Sequence, residues 1–304
     1  MIRQQISNEI WNMKYRYSGE SEEQFYHRIV NALVDSCTDK ELKVFCDIME
    51  VSAVEAFKKL AYELISNHNC MLAGRPIYAL GTDRKNQTYS NCYVLPIKKD
   101  SMSSIMDAVK EAAMTMKSGG GNGYSFSVLR PKNANISTSG GESTGPISFM
   151  KVFDSTCDSI KGGNNRRGAQ MGVLDVWHPD IEEFIEVKQT KGVLTNFNIS
   201  VGVSDDFMKA VENDSDWDLV FPDTNHESYN EEWYGNIKEW KEKGYPVKVY
   251  ETVKAKELYE KIMKATYKYS EPGVLFLDTI NKENNLWYEE YIAVTNPCCA
   301  SLQG

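Results

Sequence analysis

Met102-Ser-Ser-Ile-Met-Asp-Ala-Val-Lys-Glu-Ala-Ala-Met-Thr-Met-Lys-Ser-Gly-Gly-Gly-Asn-Gly-Tyr-Ser-Phe-Ser-Val-Leu129 joins two periodicities. Its first part places Met102, Ile105, Met106, Val109, Ala113 and Met116 on one side of a helix, and this Met-rich stripe reads as core. Its last part, residues 124–129, reads as a strand. Between them stands Lys117-Ser-Gly-Gly-Gly-Asn-Gly123. Glycine-rich backbone can approach a ligand closely and aim N–H groups at oxygen atoms. The order is helix, glycines, strand, the reverse of a phosphate loop or dinucleotide fingerprint, and no Gly-Lys-Ser/Thr is present. The cluster is either a plain tight turn or a ligand cradle of another kind.

Outward from this unit the same alternation continues. Residues 93–97, 196–203 and 273–278 read as strands, and 219–221 as a short one. Residues 180–188 form a helix opened by Pro179, 205–212 a helix capped by Ser204, and 254–269 a longer helix. Strands separated by helices predict an α/β fold with a largely parallel sheet and ligands at the strand ends. The first 70 residues read differently. Ser21-Glu-Glu-Gln24 is a capping box, followed by Phe25, Ile29, Val30 and Leu33 at helical spacing, and 54–64 repeats the amphipathic pattern. A Trp- and Tyr-rich insertion between Asp223 and Gly244 has no assignment.

The bulk numbers bound the function. The chain has 304 residues and a net charge of −9, which argues against a nucleic-acid surface. No apolar run approaches a membrane span, and the first residues lack the apolar core of a signal peptide. Seven cysteines without CxxC or paired-His spacing read as neither a disulfide framework nor a zinc site. A cytoplasmic setting follows.

Two cysteines stand at strand ends. Cys298 follows a short apolar run, 292–294, halted by Asn296-Pro297, while Cys92 opens the strand in Ser90-Asn-Cys-Tyr-Val94. A lone cysteine is most often a buried structural residue. Two at the ends of different strands could meet in a barrel interior. Residues 133–146 and 161–171 form loops rich in glycine and polar groups, the second carrying Arg166, Arg167 and Gln170. Arginine forks on flexible backbone suit phosphate or base recognition.

Read together, these strings resemble a known family. Asn91-Cys-Tyr-Val-Leu-Pro96, Lys117-Ser-Gly-Gly-Gly-Asn-Gly-Tyr-Ser-Phe-Ser-Val-Leu-Arg-Pro131, Gly145-Pro-Ile-Ser-Phe-Met-Lys-Val-Phe153, Arg166-Arg-Gly-Ala-Gln-Met-Gly172, His178-Pro-Asp-Ile181, Thr195-Asn-Phe-Asn-Ile-Ser-Val201 and Asn296-Pro-Cys298 occur in this order. The series resembles the large catalytic subunit of ribonucleotide reductase, and its glycine-rich wording is most similar to the adenosylcobalamin-dependent class. The resemblance implies a helical domain over residues 1–86 and the first half of a ten-stranded α/β barrel over 87–298. It implies that Cys298 carries a thiyl radical that takes the ribose 3′-hydrogen. Asn296 would bind the ribose hydroxyls, and Cys92 would be one of two reducing thiols. Asn91, Cys92, Gly121 and Asn296 would line the ribonucleotide substrate. Asp100, Ser101, Arg130, Arg166, Arg167 and Gln170 would bind a deoxynucleotide or ATP effector that selects the substrate base. Asp100 lies one residue further from Cys92 than the family pattern has it. A thioredoxin-like external dithiol would reduce the resulting disulfide, and a homodimer is a possible assembly.

The departure comes after Cys298. The family continues with a residue and then a glutamate, whereas Cys299-Ala-Ser-Leu-Gln-Gly304 follows here. The expectation is that residues 299–304 form a non-family tail, the start of an intein or other inserted element, with a split gene as the rival. On that reading the chain is inactive until a C-terminal half joins it, in trans or by splicing. The alternative is a non-catalytic nucleotide-binding or regulatory fragment of the same fold.

Overall fold

The computed structural model describes residues 4–85, 87–136, 140–160 and 168–298, and the backbone of 302–303. The chain divides into two compact units, Met1–Asn91 and Cys92–Gly304. The first is helical. Helix α1 (Glu22–Asp35) begins at the capping box: Ser21 Oγ accepts from Gln24 N–H and Gln24 Oε1 accepts from Ser21 N–H. This pairing satisfies two backbone donors that a helix start otherwise leaves open. Phe25, Tyr26 and Ile29 pack with Leu80, and Tyr62 and Ile65 of α2 (Val54–Ser66) lie against them.

The second unit is built on five parallel strands: β1 (Cys92–Val94), β2 (Gly121–Ser125), β3 (Gln170–Asp175), β4 (Phe197–Val203) and β5 (Gly273–Phe276). Their order in the sheet is their order in the chain. A doubly wound sheet reverses strand order in the middle and carries helices on both faces. An unreversed order with right-handed crossovers keeps every helix on one face and winds the sheet towards a barrel. The core agrees. One face carries Tyr124, Leu174, Ile199 and Val201 under helices α3 (Met102–Lys117), α4 (Pro146–Ser159), α5 (Ile181–Glu186), α6 (Asp205–Glu212) and α7 (Ala255–Tyr269). The opposite face holds a separate small cluster of Val94, Met171 and Val173, joined by Val294. This is the five-stranded half of an α/β barrel.

Several sequence expectations need correction. Strand β2 starts at Gly121, inside the glycine cluster, and stops at Ser125. Strand β3, with every residue buried, begins at Gln170 inside the expected polar loop 161–171, and 172–175 carry no assignment in the sequence reading. On α3 the buried side is Ile105, Ala108, Ala112 and Met116, while Met102 and Met106 are exposed. Small alanines let the helix lie close to the sheet, and that outweighs the larger methionines. Residues 219–221 belong to an antiparallel pair, Asp216–Pro222 with Val247–Lys254, outside the parallel sheet. The aromatic insertion is core: Tyr229, Trp233 and Trp240 are each 2% exposed and meet edge-on.

His178 fixes the turn after β3. Its Nδ1 accepts from Asp180 N–H at 3.0 Å, so Nε2 carries the proton and donates to Leu129 O at 2.8 Å. Burial holds its pKa down at about 4. An imidazole depressed in the folded state binds fewer protons than in the unfolded chain, so its stabilising contribution is lost as pH falls from about 6.5 towards 4. That loss approaches about 3 kcal/mol at full titration. Asp175 and Asp180, raised by burial to about 7 and about 6, oppose it over the same window. Urea denaturation between pH 7 and pH 4 therefore isolates the histidine only by difference: His178→Gln is less stable than the parent at pH 7, and the gap narrows towards pH 4. A constant gap contradicts this assignment.

Candidate active site

Cys92 is the first residue of β1 and pairs in register with Gly121 of β2. The second cysteine arrives from the far end of the chain. Asn281 clamps its approach: Nδ2 donates to Ile292 O at 2.8 Å and Oδ1 accepts from Ile292 N–H at 2.7 Å. Ile292 and Val294 are buried, and Val294 joins the small cluster on the helix-free face. The two-residue strand Val294–Thr295 is outside the five-stranded sheet and pairs antiparallel with 302–303. From there the backbone runs directly over β2. A Cβ built on Gly123 would lie 2.1 Å from Thr295 O and 3.1 Å from Asn296 Cα. One built on Gly121 would lie 3.1 Å from Cys92 Sγ and 3.3 Å from Pro297 Cγ. The glycines are there because another backbone occupies the space of their side chains.

The result is a contact between thiols 206 residues apart: Cys92 Sγ and Cys298 Sγ stand 3.3 Å from each other. Asn296 is buried, and Asn198 Nδ2 of β4 donates to Pro297 O at 3.4 Å. Cys298 is exposed and Cys92 half-buried. Two thiols in contact, one of them open to an incoming group, can pass a hydrogen atom or an electron pair between themselves and a substrate. Of the residues singled out in the sequence, Cys92, Gly121, Asn296 and Cys298 fall together here. Asn91 closes the helical unit, where its Oδ1 accepts from Arg75 N–H at 3.2 Å.

A second group lies at the start of α3. Ser101 caps this helix, its Oγ accepting from Ser104 N–H. Asp100 and Arg130 form an ion pair, Nε to Oδ2, at 2.6 Å, with side chains only 9% and 15% exposed. Arg130 Nη1 also donates to Asn135 O. Tyr229, from the insertion, donates its hydroxyl to the same Asp100 oxygen at 2.5 Å. Burial, and then the neighbouring Asp100 carboxylate, push the Tyr229 hydroxyl far up, so it stays protonated and donates. Gln170 is elsewhere: fully buried, it accepts from Tyr124 Oη and donates to Phe153 O. Arg166 and Arg167 lie outside the described residues.

A cavity of about 570 Å³ opens at the other end of the sheet, beside Asp175, Gly202 and Asp278. Burial raises the Asp175 carboxyl to about 7, and among the described residues no hydrogen bond reaches its Oδ1. The cavity sits at the carboxyl ends of the strands, where α/β folds usually hold ligands, while Cys92 marks the amino ends. Sequence reading missed Gly123, Asn281 and Tyr229. Only Gly123 gave a signal, as a member of the glycine cluster.

Comparison with known proteins concerns the second unit as a whole. Residues 90–303 match the family described as ribonucleotide reductase, barrel domain, a range that includes 299–303. A vitamin B12-dependent ribonucleoside-diphosphate reductase of Thermoplasma acidophilum is 43% identical over 210 residues, covering 69% of this chain and 24% of that protein. A vitamin B12-dependent ribonucleotide reductase of Streptomyces clavuligerus is 33% identical, with 85% and 26% covered. The ribonucleoside-diphosphate reductase large subunit of Dictyostelium discoideum is 28% identical, with 93% and 33% covered. The chain thus spans a quarter to a third of the length of these relatives.

The packing over β2 sets one expected outcome. Gly123→Ala drives a methyl group into the Thr295 carbonyl, which backbone cannot avoid cheaply, and costs on the order of 1–3 kcal/mol in urea denaturation. Unchanged stability would mean that the 294–298 segment does not rest on β2. The thiol contact sets another. Mild oxidation with diamide links Cys92 to Cys298, and non-reducing peptide mapping finds the cross-linked pair, since a 3.3 Å gap closes to a disulfide of about 2.05 Å with small side-chain rotations. Recovery of both cysteines unlinked contradicts the contact.

Proposed function

The chain belongs to the ribonucleotide reductase family, and from that premise we propose that it supplies the radical thiol and the effector-selection site of a ribonucleotide-reducing enzyme. The observation that carries this reading is the Cys92–Cys298 contact. Cys298, as a thiyl radical, takes the 3′-hydrogen of a bound ribonucleotide. Asn296 holds the sugar hydroxyls. Cys92 and a second thiol, from the further length that the relatives possess, reduce the 2′ carbon as its hydroxyl leaves as water. The balance is one ribonucleotide and two thiols to one deoxyribonucleotide, one disulfide and water; the 3′-hydrogen returns from Cys298 at the end. A thioredoxin-like dithiol then reduces the disulfide by exchange. The products supply DNA synthesis.

Adenosylcobalamin suits this chain in one respect: Cys298 is exposed, so a bulky group outside the sheet can reach its sulfur. When bound, it supplies the radical that takes hydrogen from that thiol. What the chain itself contributes is position. The Asn281 clamp and the Gly123 contact fix the Cys298 backbone, and β1 fixes Cys92 beside it. Asp100, Ser101 and Arg130 bind the effector, Arg130 towards its phosphates, with Arg166 and Arg167 as further ligands. Gln170, the first residue of β3, is held in place by its bonds with Tyr124 Oη and Phe153 O. A homodimer fits the exposed Met102, Met106 and Met114 on α3 and Val152 on α4.

The test is deoxyribonucleotide formation by the chain completed with the family's further length, adenosylcobalamin and a dithiol. Cys298→Ser and Cys92→Ser each fall to background while keeping nucleotide binding. Full turnover in either variant refutes the assignment. Nucleotide binding with no reduction in the parent protein would make this a regulatory fragment.

A further inference from the structure

The aromatic insertion that the sequence left unassigned converges on the two segments proposed to bind the effector. Tyr229 Oη donates to Asp100 Oδ2 at 2.5 Å, and the Arg130 guanidinium lies 5.7 Å from the centre of the Tyr229 ring. Lys99 Nζ donates to Asn230 O at 2.9 Å and stands 5.6 Å from the Tyr234 ring. Trp233 Nε1 donates to Val128 O at 2.8 Å. Four residues within the six-residue stretch 229–234 therefore make every one of these contacts, all with 99–100 or 128–130. Three rings of this insertion, Tyr229, Trp233 and Trp240, are nearly buried, so it packs into the core and does not lie on the surface.

The chemistry at Asp100 gives this convergence a consequence. Both Arg130 Nε and Tyr229 Oη bond the same oxygen, Oδ2, and among the described residues no hydrogen bond reaches Oδ1. A carboxylate held by two short bonds on one oxygen cannot rotate without losing both. Its other oxygen is a fixed acceptor, suited to a sugar hydroxyl. The neutral Tyr229 hydroxyl adds no charge that would repel a nucleotide phosphate, and the cation beside it remains available.

We propose that Tyr229 is a positioning residue of the effector site, orienting Asp100 so that Oδ1 accepts a hydrogen bond from the sugar of a bound deoxynucleotide. The insertion 223–244 is the brace that holds it there. This rests on the reading of Asp100 as an effector ligand, and the experiment separates the two. Equilibrium binding is measured for a deoxynucleoside triphosphate and for its 2′,3′-dideoxy counterpart, which lacks the hydroxyl, on the full chain and on Asp100→Asn, Tyr229→Phe and Trp233→Phe.

The parent protein prefers the hydroxyl-bearing nucleotide, and Asp100→Asn removes the preference. Tyr229→Phe weakens the deoxynucleotide about tenfold, in the range of one charge-assisted hydrogen bond. It leaves the dideoxy affinity nearly unchanged, so the ratio between them collapses. A merely structural role would weaken both ligands together and leave the ratio intact. Should Tyr229→Phe fold poorly, Trp233→Phe loosens the brace from Val128 with Tyr229 and Asp100 kept, and it lowers the same ratio. If Asp100→Asn removes the preference while Tyr229→Phe and Trp233→Phe retain it, the positioning role is overturned and the effector reading stands. If the parent shows no preference, or Asp100→Asn keeps it, both fall.

Discussion

The whole candidate site depends on one close approach: the Thr295 carbonyl lying where a side chain of residue 123 would be. A parallel strand with ordinary side chains would hold any crossing segment several ångströms higher. With glycine at 121 and 123, the 294–298 backbone settles onto the sheet, and Cys298 drops to the level of Cys92. Everything else on that face is consistent with this demand. Val294 closes the small apolar cluster with Val94, Met171 and Val173, and Asn281 supplies a two-point backbone clamp just before it. Contacts of this kind specify position to within fractions of an ångström because interiors are close-packed.

The two faces of the sheet divide the work. The helix-covered face holds most of the buried apolar area and so most of the stability. The helix-free face carries glycines, polar groups and thiols beside its small apolar cluster. His178 and the aromatic insertion connect this scaffold to the Asp100 group. His178 fastens Leu129 and Trp233 fastens Val128, and both lie just before Arg130. Effector selection and catalysis would then share β2 and the residues after it, a short physical path between the two groups.

How much of this was legible in the sequence depended on the kind of signal. The capping box at Ser21, the Ser204 cap and the strand at 197–203 were read from local pattern, because local hydrogen bonding and periodicity set them. The strand Gln170–Asp175 was not, because it follows a polar glycine-rich run and all its residues are buried, so no alternation marks it. The helix face of 102–117 was misjudged, since hydrophobicity favoured methionine where close packing favoured alanine. Cys92, Asn296 and Cys298 were recognisable through family resemblance, and their approach was only a conjecture until the glycines showed what covers them. Tyr229 could not have been found: its partner lies 129 residues away, and a Trp- and Tyr-rich stretch has no periodic signature of a site.

The measurement that bears most directly on the central claim follows the hydrogen that Cys298 is held to remove. A ribonucleotide tritiated at C3′ is incubated with the completed protein, adenosylcobalamin and a dithiol, and tritium released to water is counted. The account predicts that the parent protein returns the tritium to C3′ of its product, that Cys92→Ser, unable to complete reduction at C2′, loses it to water, and that Cys298→Ser neither forms product nor releases tritium. Release that survives Cys298→Ser would contradict it, because hydrogen abstraction would then belong to another group.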